Sequence, residues 1–421
     1  MKEDFLHYVW RFKKLNATTL KTVQNNEIVI KDFGLFLGSE GPDFFNAKMY
    51  IDDQLWAGNV EMHVNASDWY LHNHEQDPKY NNVILHVVWN DDVPVLRNNG
   101  SEIPTLVLKN FVPQSVFKAY NQFKLQPKYI FCEESIHRFS TFDWVLWKEK
   151  LMIERLEQFT DRIVVELKET QNDWEEAFYR LLLRNFGLNV NNESFYEIAK
   201  KLPLKILKKE QSVLIHLEAL FLGTANLLNE SNESFYFNRL KKTYQYLKQK
   251  YNLSTISKKV EFYKLRPDNF PTIRLVQFAS FFHQQLFLFN LVKNPEELCV
   301  KNPLLGIKPS DYWQTHYVFN REHAKRNKTI SAQFYQLILI NTILPFQYVY
   351  HQQMGNDMVE EILQRYQSTT FEKNATTNLF KALKVPIENA LDSQSVLFLK
   401  KNYCDLKRCL NCDIGIKLMD R

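Results

Sequence analysis

Residues 41–63 read G-P-D-F-F-N-A-K-M-Y-I-D-D-Q-L-W-A-G-N-V-E-M-H and carry a concentrated set of groups that could do chemistry. The run has the form of a β-hairpin. Asp43 opens the first strand, Asp52-Asp53 makes the turn, and Glu61 and His63 close the second strand. Strand side chains alternate, so Glu61 and His63 share a face with Asn59 and Asn65, while Trp56, Val60, Met62 and Val64 form an apolar face expected in the core. Asp43 and Glu61 could hold Mg²⁺ or Mn²⁺, which accept oxygen ligands and acidify a bound water. His63 could orient or deprotonate that water, because imidazole titrates near neutrality. That combination suits phosphodiester hydrolysis. The plainer reading leaves Asp43 as a turn residue and Glu61 and His63 on a solvated strand face.

Three further groups of residues bear on function. His72-x-His74 with Asp77, and His86 on a later strand, could join His63 in a Zn, Mn or Fe site. A helix would separate the two imidazoles of H-x-H, whereas an extended segment would bring them together. The alternative is a core histidine at His86 and a polar loop around His72 and His74. Near the C-terminus Cys404, Cys409 and Cys412 have ligand spacing, C-x₄-C-x₂-C, and hold three of the five cysteines. Zinc or a [4Fe–4S] cluster would fit, with Cys132 or Cys299 as fourth ligand, as against unligated thiols. Finally, Arg266 and Arg274 flank D-N-F-P-T at a helix start and could meet nucleic-acid phosphates, or a carboxylate of the protein itself.

The elements that must position these groups divide the chain. Residues 3–15 have helical spacing, 27–33 form a strand, and the hairpin follows as 44–51 and 55–64. A short helix is expected near Asp68, and 83–89, V-I-L-H-V-V-W, reads as a central strand covered on both faces. Beyond residue 140 the pattern is helical, over 141–168, 173–186, 194–202, 211–228, 235–251, 272–292, 331–350 and 358–367. The expected class is α+β. A small mixed-sheet domain occupies 1–112, a linker 113–140, and a larger all-α domain, carrying the cysteine cluster, 141–421.

Composition narrows the function. With 10 glycines and neither G-x-x-x-x-G-K-[ST] nor G-x-G-x-x-G, a Gly-rich nucleotide loop is excluded. No apolar run reaches the roughly 20 residues of a membrane span, and the N-terminus lacks the form of a signal peptide. A cytoplasmic protein without membrane contact is expected. Residues 1–110 hold 10 Lys and Arg against 15 Asp and Glu, with five of the 11 histidines, and the remainder 43 against 33. An acidic, histidine-rich part beside a basic one suits a metal site next to a surface for a polyanion.

The P-D pair followed by E-x-H resembles the PD-(D/E)xK nuclease superfamily, with Pro42-Asp43 and Glu61-Met62-His63 in the motif positions and 17 residues between Asp43 and Glu61. The resemblance covers about residues 1–95 and extends to the order helix–strand–strand–strand–helix–strand. It implies a restriction-endonuclease-like core, Asp43 and Glu61 as metal ligands, and DNA or RNA as substrate. His63 stands where that superfamily has lysine. Some of its members also staple the domain with an iron–sulfur cluster on one upstream and three C-terminal cysteines; here the motif precedes Cys132 rather than following it. Over nearly the full length, G-P-D-F, G-N-V-E-M-H, D-W, H-x-H, R-P-x-N-F-P and the cysteine cluster resemble a bacterial family of unknown function. The leading expectation is a metal-dependent nuclease or nuclease-like protein. A non-catalytic interaction module on a degenerate nuclease core, which His63 favours, and a His-rich Zn or Fe enzyme acting on a small molecule are the alternatives.

Overall fold

The computed structural model describes residues 2–17, 19–36, 41–124, 130–229, 233–285, 287–294 and 302–419. They form an α+β chain of two units, Met1–Trp147 with Leu379–Val385 and Phe398–Arg421, and Lys148–Asn378 with Pro386–Leu397. The first unit opens with α1 (Glu3–Arg11). Strands β1 (Leu20–Lys21), β2 (Glu27–Asp32), β3 (Leu35–Phe36), β4 (Phe44–Ile51) and β5 (Gln54–Asn65) follow, then α2 (Asp68–Leu71), β6 (Val83–Asn90), β7 (Thr105–Val107) and α3 (Gln114–Lys124). The sheet order is β1-β2-β4-β5-β6-β7, with β3 also paired to β4. β2, β4 and β5 are an antiparallel meander, whereas β6 runs parallel to both β5 and β7.

Each feature of the hairpin has a local cause. Asp52 takes φ +53° in the turn, and its carboxylate accepts from the Glu27 N–H at 2.9 Å and the Asn26 amide at 2.6 Å. Asp tolerates this left-handed backbone better than most residues. On one face of the sheet, Phe5, Leu6, Val9 and Trp10 of α1 share a core with Val60, Met62, Leu85 and Val87. On the other, Ala66, Trp69, Tyr80, Val88, Val95 and Ile103 make a second core. Glu61 and His63 belong to that second face, which is therefore covered rather than solvated: they are 5% and 1% exposed. Trp56, expected in the core, lies at the open end of β5 and is 37% exposed.

Two boundaries differ from the sequence expectation. Residues 113–140 are no simple linker, since they contain α3 and belong to the first unit. The C-terminal segment with three cysteines also returns to the first unit, not to the helical one. Its Leu410 and Met419 join the core beneath the sheet, a long-range contact without any periodic signature.

The second unit is helical. After α4 (Thr141–Glu169) come α5 (Trp174–Phe186), α6 (Leu188–Lys201), α7 (Leu204–Glu210), α8 (Leu214–Thr224), α9 (Phe235–Tyr251) and α10 (Pro271–Gln284). Much of the aromatic content is used here. Phe186 meets Phe278 and Phe334 edge-on at 4.9 and 5.0 Å, and Phe221 meets Phe278 at 5.3 Å. Among the described residues no helix is long and apolar enough to cross a membrane.

Gly58 fixes the approach of β6 to β5. A Cβ there would meet Ile84 Cγ2 at 2.4 Å and the Asn82 carbonyl at 2.7 Å. Gly58→Ala is expected to cost about 1–3 kcal/mol, as overpacking does. Chemical denaturation measures this, and an unchanged midpoint would show that β6 yields without strain.

Candidate metal centre

Asp43 and Glu61 are joined by crossed hydrogen bonds. The Asp43 backbone N–H donates to Glu61 Oε2 at 3.0 Å, and the Met62 backbone N–H donates to Asp43 Oδ2 at 3.0 Å. A bulge between Phe44 and Ala47 interrupts the β4–β5 register immediately after Asp43. It holds Asn46 at φ +57° with its N–H donating to Asn59 Oδ1 at 3.2 Å. Bulges often lie where a strand must re-aim a functional side chain. From α1, His7 Nε2 comes within 3.0 Å of Asp43 Oδ2.

Imidazoles surround the other side of Glu61. Its Oε1 lies 3.3 Å from His74 Nε2 and 3.6 Å from His63 Nε2. His63 Nε2 is 3.2 Å from His72 Nδ1, and each of His63, His72 and His74 offers one ligand atom within 4.8 Å of the others'. His72 and His74 converge through a turn, not the extended segment expected. α2 ends at Leu71 with His72 as its C-cap, and Asn73 takes φ +58° between the two histidines. Asn enters that region at lower cost than most residues. The Asp68 carboxylate accepts from the Asn65 N–H at 2.9 Å, and Asp92 accepts from the Ser67 N–H at 2.9 Å, so the route from β5 to α2 is fixed at two points. Tyr80 stacks on His74 at 3.7 Å, and Trp69 packs edge-on to both His74 and His86.

His86 sits behind His63, with its Nε2 2.8 Å from His63 Nδ1. If His63 Nε2 gives its lone pair to a metal, the proton is on Nδ1 and is donated to His86. That arrangement orients a ligating imidazole. It leaves the His86 Nδ1–H buried, and among the described residues this atom has no hydrogen-bond partner. Asp77, by contrast, caps the turn at Pro78–Tyr80 by accepting from the Lys79 N–H.

The electrostatics of the site disfavour charge on most of its own groups. Burial, then the charge of Asp43, pushes Glu61 up to about 9. Burial, then the neighbouring His86, His74 and His72, pushes His63 down to about 2, and burial holds His86 at about 3. His74 is also lowered, by burial. Burial would lower His7 as well, but the Asp43 carboxylate more than offsets it, so His7 sits above its ordinary value. Neutral imidazoles around a carboxylate are in the form that binds metal. Because most donors are nitrogen, the set suits Mn²⁺, Fe²⁺ or Zn²⁺ better than Mg²⁺, which takes oxygen. His7 was not among the residues singled out from the sequence. Its available signal was Glu3-x₃-His7, which puts both side chains on one face of α1.

The remaining candidates fall elsewhere. Cys132, Cys404, Cys409 and Cys412 line one apolar cavity in the first unit, and Cys299 lies outside the described residues. Arg266 is exposed, but Arg274 is buried, where its guanidinium donates to Asn269 Oδ1 at 2.5 Å and Gln277 Oε1 at 2.8 Å and lies 3.5 Å from the centre of the Phe334 ring. Arg274 is therefore an internal support of the R-P-D-N-F-P-T turn, not a solvent-facing phosphate contact. Amide oxygens and a ring face, with Asp268 nearby, compensate its charge at the helix start.

Two outcomes follow. Arg274→Lys, lacking the planar fork, is expected to lower stability by about 1–3 kcal/mol. Its nucleic-acid affinity should be unchanged, and a drop in affinity without a drop in stability would restore the phosphate role. The second concerns metal-stripped protein. Glu61 is raised when folded, so its contribution is full below about 4.5 and is lost as pH rises toward 9. His63 and His86 are depressed, so theirs is full above 6.5 and is lost as pH falls. Two histidines outweigh one carboxyl on the acid side. Stability should therefore peak near pH 6.5 and fall by about 1 kcal/mol per pH unit on either side. His7, also raised, adds to the alkaline limb, so Glu61→Gln should make that limb shallower in denaturation series from pH 5 to 8.5; an unchanged slope would assign it to another group.

No curated protein and no solved structure matches the chain. The family model described as Protein of unknown function (DUF2851) matches residues 3–375 of 421. The matched span includes Asp43, the five clustered histidines, Cys132 and both arginines, and it ends before the three C-terminal cysteines. By that match over most of its length, the chain belongs to the DUF2851 family.

Proposed function

We propose that this chain is a metal-dependent phosphodiester hydrolase acting on DNA or RNA. In this reading Glu61, His63, His72 and His74 hold a divalent transition metal, with Asp43 and His7 beside it. The observation that carries the proposal is the gathering of three imidazole nitrogens within 4.8 Å of one another, next to a carboxylate oxygen 3.3 and 3.6 Å from two of the rings. A cation held there would polarise a phosphoryl oxygen and acidify water for attack at phosphorus. Asp43, touching His7 at 3.0 Å, would orient a water or the leaving oxygen.

His63 then has a role different from the lysine at the matching place in the PD-(D/E)xK pattern. It is a metal ligand held by His86, and the site depends on Mn²⁺, Fe²⁺ or Zn²⁺ instead of Mg²⁺. Support for a polyanionic substrate comes from the groove beside His7. This groove, about 530 Å³, is lined by Glu3, Asp4 and His7, with Lys2, Lys407 and Arg408 as its basic groups. The same donors would serve a Zn or Fe enzyme on a small molecule, but that reading gives the basic wall no role.

The test is cleavage of mixed single- and double-stranded DNA and RNA, with Mn²⁺, Fe²⁺, Zn²⁺ and Mg²⁺ compared, alongside metal analysis of the purified protein. Cleavage with Mn²⁺ or another transition metal is expected. Glu61→Gln and His72→Ala should lower the rate by at least about 100-fold, the scale of losing a positioned catalytic metal. Absence of cleavage with every metal, or variants as active as the wild type, would overturn the proposal. Turnover of a small phosphodiester with no nucleic-acid cleavage would favour the small-molecule reading.

A further inference from the structure

We infer that Cys132, Cys404, Cys409 and Cys412 ligate a [4Fe–4S] cluster that holds the 405–411 loop as one wall of the groove beside His7. The four thiols come from two segments more than 270 residues apart in sequence, yet they line one cavity within the first unit, together with Ile130, Phe131, Ile136 and Phe380. All four are unpaired cysteines. Cys412 is buried and the other three are partly buried. A second cavity of about 260 Å³, lined by Tyr120, Phe131, Leu410 and Gly415, reaches Cys409 alone of the four.

The two metal readings left open by the sequence ask for different ligand spacing. A tetrahedral zinc, with Zn–S near 2.3 Å, would bring four sulfurs to about 3.8 Å from one another. In a cubane each thiolate binds its own iron, and the sulfurs stand roughly 6 Å or more apart. Among the described residues, no three cysteine sulfurs lie within 4.8 Å of one another, although three imidazoles do. The thiols are thus gathered in one cavity without converging on a single point, the wider spacing that a cluster asks of its ligands.

The surroundings suit a cluster. The backbone N–H groups of Gly415 and Ile414 face the Cys412 sulfur in an otherwise apolar, buried setting. Gly415 is required for the approach, since a Cβ there would fall 1.9 Å from the Cys409 carbonyl. Between the ligands the chain is tightly folded. The Lys407 N–H donates to the Cys404 carbonyl at 3.1 Å and the Arg408 N–H to the Tyr403 carbonyl at 2.8 Å, with Lys407 at φ +56°. This short loop presents Leu406, Lys407, Arg408 and Asn411 to the groove that also contains Glu3 and His7. A cluster pinning Cys404 and Cys409 would therefore set the basic wall. The groove's role rests on the hydrolase reading above; the cluster itself does not.

The full-length protein, purified without oxygen or reconstituted with Fe²⁺ and sulfide, should be brown, absorb near 400 nm and contain about four iron and four acid-labile sulfide per chain. Cys132→Ser and Cys409→Ser should lose that absorbance. Colourless protein after reconstitution, or one zinc per chain at the cysteines, would overturn the cluster. Because a cysteine variant could fail to fold, reconstitution of the wild type is the deciding measurement. Glu61→Gln should keep full iron and sulfide, so failure of the hydrolase reading is scored separately. For the groove, Lys407→Ala with Arg408→Ala should keep the cluster, weaken oligonucleotide binding by at least about tenfold and flatten its salt dependence. Unchanged binding with the cluster intact would remove the groove from the inference.

Discussion

Burying the Glu61 carboxylate beside Asp43, inside a shell of imidazoles, sets the terms for the rest of the first unit. A carboxylate removed from water and placed next to another negative charge is costly, and the molecule can respond with a proton or a cation. The rings around it are neutral for the same reason: desolvation and one another's charge keep His63 and His86 unprotonated. Without a cation the proton is the answer, and the rise of Glu61 to about 9 expresses it; a cation would take the proton's place among the same oxygen and nitrogen lone pairs. Several unrelated local features serve this one arrangement. Gly58 lets β6 approach closely enough for His86 to lie opposite Glu61, and the bulge after Phe44 turns the chain where Asp43 meets Glu61. Asn73 reverses the backbone between His72 and His74, while Trp69 and Tyr80 fix the rings.

Local pattern made part of this legible. The hairpin, the short helix after it and the apolar β6 follow from alternation and turn residues, and 141–168 and 358–367 fall close to the observed Thr141–Glu169 and Val359–Ser368. The common face of Glu61 and His63 follows from the two-residue period of a strand. That this face is buried was not legible. Its cover comes from Trp69, Tyr80, Val95 and Ile103, which are scattered over a loop-rich stretch without periodicity. His7 belongs to an amphipathic helix whose apolar face dominates its pattern, and only the fold brings it to Asp43. Trp56 shows the converse error: alternation assigns a face, but the length of strand overlaid by other elements decides burial.

Charged residues were the least legible, because charge alone says nothing about which way a side chain is enclosed. Arg274 reads as a phosphate ligand at a helix start, yet it fits between two amides and a phenyl ring. Guanidinium tolerates this better than ammonium, being planar and weakly hydrated. The basic groups that do border the candidate site come from a different place, the short loop between Cys404 and Cys412. Their number is small, so the excess of basic residues outside the first 110 is not what makes the groove basic.

The path of the C-terminal segment gives these observations a common physical basis. A loop carrying Lys407 and Arg408 beside acidic Glu3 and Asp4 has local attraction but few apolar anchors of its own; Leu410 is its buried contact with the sheet's core. Exposed ion pairs contribute little to order. Covalent or coordinate links at both ends of a short loop are a stronger constraint, because they remove the loop's conformational freedom directly. The cysteines stand at those ends. Nitrogen and oxygen donors such as those around Glu61 suit a hard or borderline cation, whereas four thiols in the same unit would suit iron or zinc. On the proposals above, different donor chemistry would let two metal sites coexist in one unit without competing for an ion, one for reaction and the other for holding the wall of the groove.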